Sequence, residues 1–132
     1  MPRVVDLGGA VVIPGFIDAH IHFFQTGLDL LTVGLAGATS LEDIASRLAH
    51  GARGRRSWIF GHSYEEDTLP ATDRLSRDVL DRLFPNQPVW VSRVDYHSAV
   101  ANSAALRRVD VPAGMRGFLQ SQGQPSGILR SE

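Results

Sequence analysis

The chain has 132 residues, 43% of them hydrophobic and 20% charged, with a formal net charge of −1, which is ordinary for a globular domain and excludes a disordered chain. This near-neutral balance gives no electrostatic case for nucleic acid or an acidic membrane, and the short basic cluster of Arg53, Arg55 and Arg56 reads as a solvated loop. With no Cys there is neither a disulfide framework nor thiolate chemistry; no apolar run is long enough to span a membrane, the Met1 end lacks a signal-peptide pattern, and the chain reads as cytoplasmic.

Two short β-branched runs, residues 4–7 and 11–13, lead to Pro14-Gly15, a turn signal. Beyond it Phe16 to Phe23 reads as a strand. Side chains on a strand alternate, so Phe16, Asp18, His20 and His22 share one face while Ile17, Ala19, Ile21 and Phe23 make the other wholly apolar. Two imidazoles pointing the same way from a rigid element, with a carboxylate behind them, form a metal-ligand arrangement, although a bare His-x-His is by itself a weak signal.

Residues 25–37 carry Leu28, Leu31 and Leu35 at helix-like spacing, interrupted by glycines, and read as a helix or turn. From Ser40, a good N-cap with Asp43 three residues on, apolar residues recur along one helical face through Ala52. Ser57 to Gly61 reads as a short buried strand, with His62, Ser63, Tyr64, Glu65 and Glu66 following as a polar loop. Leu75, Val79, Leu80, Leu83 and Phe84 predict a second amphipathic helix, capped by Thr72 or Asp73 and stopped at Pro85. Pro88 opens a β-rich run, 89–94, ending at Asp95, Tyr96 and His97; Ser98 is then the expected cap of an Ala-rich helix through Leu106 that contains Asn102. Past Val109 the composition turns to Gly, Gln, Ser and Pro, and 123–126 is the expected turn of a hairpin between 118–119 and 128–129.

The run GGAVVIPGFIDAHIHF resembles the opening motif of the amidohydrolase superfamily, in which a Pro-Gly turn leads into the first barrel strand and its His-x-His binds divalent metal. WIFGHSYEED, FPNQPVWVSRVDYHSAVANSAAL and GFLQSQGQPSGILRSE are similar to successive stretches of one branch of it, which includes N-substituted formamide deformylase. The resemblance implies an α/β fold: a partial TIM (β/α) barrel over residues 15–132, preceded by a remnant of a small β-domain over 1–14. It implies His20 and His22 as ligands of a divalent metal, with zinc expected, and Asp18 as a supporting carboxylate. It puts His62 and Tyr64 on the substrate side and makes His97 a substrate-side or supporting residue; a histidine at a strand end serves equally as a helix-start hydrogen bonder. Glu132 falls where this branch carries a metal-binding Glu, the alternative being a charged terminal residue.

The implied function is metal-dependent hydrolysis of non-peptide carbon–nitrogen bonds in a small amide-like substrate, through a metal-activated water. A (β/α)₈ barrel typically needs about 250 residues, so the chain reads as the first portion of such an enzyme. Two alternatives stand beside it: a non-catalytic α/β protein that keeps the core without the reaction, and a small metal-binding protein that completes its site between subunits. The second requires a homo-oligomer, which no sequence feature announces.

Overall fold

The computed structural model describes residues 2–54, 57–70, 72–109, 115–121 and 124–131. Helix α1 (Phe23–Asp29) leads to strand β1 (Val33–Gly34), helix α2 (Leu41–Gly51) and strand β2 (Ile59–Tyr64). A 3₁₀ turn (Glu66–Thr68), helix α3 (Arg77–Leu83) and strand β3 (Val89–Arg93) follow. Strand β4 (Ser98–Ala101), helix α4 (Ser103–Leu106) and the hairpin of β5 (Phe118–Ser121) and β6 (Gln124–Arg130) complete the order. The strands form one six-stranded sheet, β1-β2-β3-β4-β6-β5. The first three are parallel and joined by α2 and α3 as crossovers; the rest pair antiparallel. The fold is mixed α/β, and no described helix is long and apolar enough to cross a membrane.

Helix α2 forms where its periodicity and cap predict. Ser40 Oγ accepts the Asp43 N–H at 3.2 Å, Arg47 reaches back one turn to both Asp43 carboxylate oxygens and donates to the Ala36 carbonyl, and Ile44 and Leu48 are fully buried. They pack with Leu35, Ile59, Leu80, Val89 and Val91 into the core between the helices and one sheet face. Gly61 lies at the tightest point of that layer: a Cβ there would meet Leu35 Cδ1 and Leu48 Cδ2 at 3.1 Å and Val91 Cγ2 at 3.3 Å. The opposite face carries Ala99, Ala101 and Leu129 with Trp58, Trp90 and Phe118 against them.

Several elements depart from the sequence reading. Phe16 to Phe23 is no strand: the segment is irregular, bends at 19–20 and enters α1 at Phe23, and Phe16 and Ile17 are each 93% exposed. An alternating segment becomes a strand only when a neighbour takes up its backbone hydrogen bonds, and none of the described strands does. The runs at 4–7 and 11–13 likewise form no strand. The segment read as a helix or turn contains the two-residue β1, whose Val33 and Gly34 pair with Gly61 and His62. Strand β2 extends three residues further than Gly61 and carries His62, Ser63 and Tyr64, which were expected in a loop.

Helix α3 is capped by Ser76, whose Oγ accepts the Val79 N–H, and not by Thr72 or Asp73. Ser98 opens a strand rather than a helix, because 98–101 pairs on both sides, with β3 and β6. Asn102 is then the cap of α4 and is completely buried. Its Oδ1 accepts from the Val89 and Ala105 N–H groups, and its Nδ2 donates to the Phe84 and Gln87 carbonyls. The hairpin forms but is longer than expected: β6 starts at Gln124, so residues 124–126, expected in the turn, are strand; Gly123 lies outside the described residues, as do Arg55 and Arg56 of the basic cluster.

Candidate functional site

On the sheet face turned away from α2 and α3, a cleft of about 210 Å³ runs under α1. Phe60 and His62 of β2 and Trp90 and Ser92 of β3 form its floor, α1 contributes Gln25, Leu28 and Asp29, and Tyr96 enters from the β3–β4 turn. Its polar groups converge on Asp29. Gln25 Nε2 donates to Asp29 Oδ1 at 2.9 Å, Tyr96 Oη donates to Oδ2, and His62 Nδ1 stands 3.9 Å from Oδ1 and 3.1 Å from Ser63 Oγ.

Burial works to raise the Asp29 pKa, but the hydrogen bonds from Tyr96 and Gln25 and the charge of His62 outweigh it and hold the carboxyl below its ordinary value. Burial, with the hydrogen bond to Asp29 and its negative charge, pushes the Tyr96 phenol up. Each shift keeps the pair as ionised acceptor and protonated donor. Gly34 keeps the far side of the imidazole open: a Cβ there would lie 3.6 Å from His62 Nε2. Ser63 and Tyr96 are the two described non-glycine residues with positive φ, at 58° and 57°. Such backbone concentrates where a site over-determines the chain.

The bulge at Ser63 decides which side chains reach this cleft. The β2–β3 register shifts between Gly61 and Tyr64, so strict alternation, which would put Tyr64 beside Phe60 and His62, fails by one residue. Tyr64 instead turns to the helix-covered face, is 2% exposed, and accepts the Leu75 N–H through Oη. Burial raises its pKa, against the opposing hydrogen bond from Leu75.

His97 lines a second cleft of about 210 Å³ that shares Trp90, Ser92 and Tyr96 with the first. Its Nδ1 lies 2.9 Å from Ser131 Oγ, and its backbone N–H donates to Asp95. His62 and His97 therefore occupy neighbouring clefts on one sheet face, and Tyr64 the other face. His20 and His22 sit apart on the exposed segment, their rings edge to face with centroids 5.2 Å apart. Asp18 accepts the His20 N–H and so shapes the backbone between them. Among the described residues no three His, Cys, Asp or Glu side chains come together as a metal site, and Glu132 lies outside them. The imidazole pair is an incomplete donor set, since metal sites ordinarily draw at least three protein ligands.

Sequence reasoning missed Asp29 and Gln25 altogether. A lone carboxylate near the end of a weak helical pattern carries no local signal; beyond Gln25 one helical turn away, its second donor, Tyr96, arrives only with the return of the chain.

Residues 3–132 match the model of the Amidohydrolase family, and the chain belongs to that family. It is 32% identical to the putative amidohydrolase YtcJ of Bacillus subtilis over 95% of its own length and 25% of that protein's. It is 33% identical to Protein LONG AFTER FAR-RED 3 of Arabidopsis thaliana, over 95% and 23%, and 29% identical to N-substituted formamide deformylase of Arthrobacter pascens, over 96% and 25%. Among solved structures it resembles an uncharacterized metal-dependent hydrolase from Pyrococcus horikoshii, at 30% identity and a TM-score of 0.65, covering 89% of this chain and 22% of that one. The chain thus spans about a quarter of the length of the relatives it matches.

Proposed function

We propose that the chain is part of a metal-dependent hydrolase that acts on carbon–nitrogen bonds of a small non-peptide amide. The observation that carries this reading is the family match over residues 3–132, which takes in the His20-x-His22 pair; the metal-dependent hydrolases of similar structure support a divalent ion. In this reading residues 15–132 belong to a partial (β/α) barrel and 1–14 to a remnant of a preceding β-domain. His20 and His22 supply two imidazoles to the ion, zinc by the nitrogen-rich donor set, with Asp18 supporting them. Glu132 is the proposed carboxylate donor, and the chemistry the ion supplies is activation of water.

The chain's own contribution is the cleft. Ser63 Oγ meets His62 Nδ1 and Asp29 faces the ring at 3.9 Å, at the rim of an apolar pocket in which Phe60, Leu28 and Trp90 take the body of an amide-like substrate. Here the His62 imidazole can accept or return a proton. His97 faces the adjoining cleft with the same freedom, whereas Tyr64 serves this site by anchoring β2 to Leu75 rather than by touching substrate.

The test is a zinc titration of the chain followed by histidine-selective NMR. Joint perturbation of His20 and His22, weak in affinity and lost in H20A, is the expected result, with negligible turnover of N-substituted formamides by the chain alone. Zinc that leaves both rings unperturbed would sink the metal assignment.

A non-catalytic metal-binding α/β protein is the second reading, favoured by the absence of a three-donor group among the described residues. Turnover of a simple amide, abolished in H20A and H22A, would decide against it.

A further inference from the structure

The helix-covered face carries a cleft that takes no part in the reading above. It opens at the C-terminal ends of β2 and β3, has a volume of about 240 Å³, and is lined by Tyr64, Glu66, Arg74, Arg93, Ser98 and Arg130 among others. One carboxylate serves two of its guanidinium groups: Arg74 Nη1 lies 3.0 Å from Glu66 Oε1, and Arg93 Nη1 donates to Glu66 Oε2. Asp95, outside the lining, approaches Arg93 Nε at 3.8 Å. That nitrogen is buried without a hydrogen-bond acceptor. Arg130 has no acceptor for its side chain among the described residues. Three cations thus stand against Glu66 and the more distant Asp95, leaving at least one positive charge uncompensated.

Neutral donors surround the surplus. Tyr64 Oη already accepts the Leu75 N–H, so its own proton is left to give, and Ser76 and Ser98 add hydroxyls to the wall. An unpaired guanidinium beside O–H donors, with the internal carboxylate saturated on both oxygens, is deficient in acceptors alone. Planar guanidinium groups recognise planar or tetrahedral oxyanions through paired N–H bonds, and such charge-assisted bonds are the strong ones.

We propose that this cleft is an oxyanion-binding site, taking a carboxylate or phosphate group of a small molecule between Arg74 and Arg130, with Tyr64 donating a third bond. The Arg74 side chain is 61% exposed and Arg130 is exposed, so both are reachable from solvent. Because neither residue fills the core, removing either guanidinium leaves the fold in place. The site involves no metal and none of the residues lining the His62 cleft, though Ser98, Ala99 and Arg130 also border the His97 cleft; its test reads anion binding and not turnover, so its failure is distinguishable from failure of the hydrolase reading.

The experiment is a ¹H–¹⁵N NMR titration of the chain with sodium phosphate and, separately, with sodium acetate, at constant ionic strength to hold screening fixed. Saturable shifts at Tyr64, Arg74 and Arg130 are expected with at least one of the two ions, and the tighter one identifies the anion class. R74A and R130A are each expected to weaken that binding roughly tenfold or more while keeping the wild-type spectrum elsewhere. No saturable shift with either ion, or binding unchanged in both variants, would overturn the proposal.

Discussion

At the residue scale the cleft under α1 is organised by the hydrogen bond from Tyr96 to Asp29, which among the lowering influences does most to offset burial and hold the Asp29 carboxyl below its ordinary value. Y96F removes that donor, and the Asp29 carboxyl is expected to titrate at higher pH than in the wild type, as read by carboxyl ¹³C NMR; an unchanged titration would remove Tyr96 from the account. The sign for stability follows from the same shift. A carboxyl held below its unfolded value contributes stability that is present above the ordinary carboxylate range and is lost as pH falls through the depressed folded value. Tyr96, shifted upward, contributes below its unfolded value and loses that contribution as pH rises through the folded one. The stability deficit of Y96F relative to wild type is therefore expected to be largest near neutrality and to shrink in both strong acid and strong alkali. Chemical denaturation across that range measures it. His62 was singled out through the motif around it. Its partner Asp29 was not, since 67 positions separate it from Tyr96 and no local pattern spans that distance.

At the scale of elements, what could be read was whatever carries its own period and punctuation. Helix α2 has both, and S40A is expected to cost about 1 kcal/mol through loss of the N-cap bond. The bulge in β2 has neither, so Tyr64 was read as part of a polar loop when it ends a strand with its side chain buried. Strand β1 is too short for any periodicity, and β4 was taken for a helix because alanine favours helices unless a sheet edge on each side captures it. Gly61 owes its identity to the closeness of α2. G61A places a methyl 3.1 Å from two leucine carbons and is expected to destabilise by about 1–3 kcal/mol through overpacking, measured by urea unfolding. Asn102 supplies four hydrogen bonds from one side chain, and N102A, which orphans buried groups at both ends, is expected to cost on the order of 3 kcal/mol or more.

The whole molecule is lopsided. In the first thirty residues Val4, Val11, Phe16, Ile17, Phe23 and Leu30 are each at least 80% exposed, whereas Ile44, Leu48, Leu80, Val89 and Val91 in the core under α2 and α3 are fully buried. So many exposed large apolar side chains favour association, so the chain is expected to self-associate with rising concentration in sedimentation velocity, and a monomer at high concentration would contradict that. The family was legible from motifs strung along the chain because they need no three-dimensional partner to be recognised; the sheet order and the three clefts were not, because long-range pairing decides them. The tie made by Asn102 has one more consequence, for chemical ageing. Asn-Ser is a sequence prone to spontaneous deamidation, which requires the following backbone nitrogen to attack the side-chain amide carbon. Here that nitrogen, on Ser103, donates to Asp81 Oδ1 at 2.8 Å, and the amide is pinned on both its oxygen and its nitrogen. The folded chain thus shelters its own weak bond, and Asn102 converts to aspartate only as fast as this corner of the molecule opens.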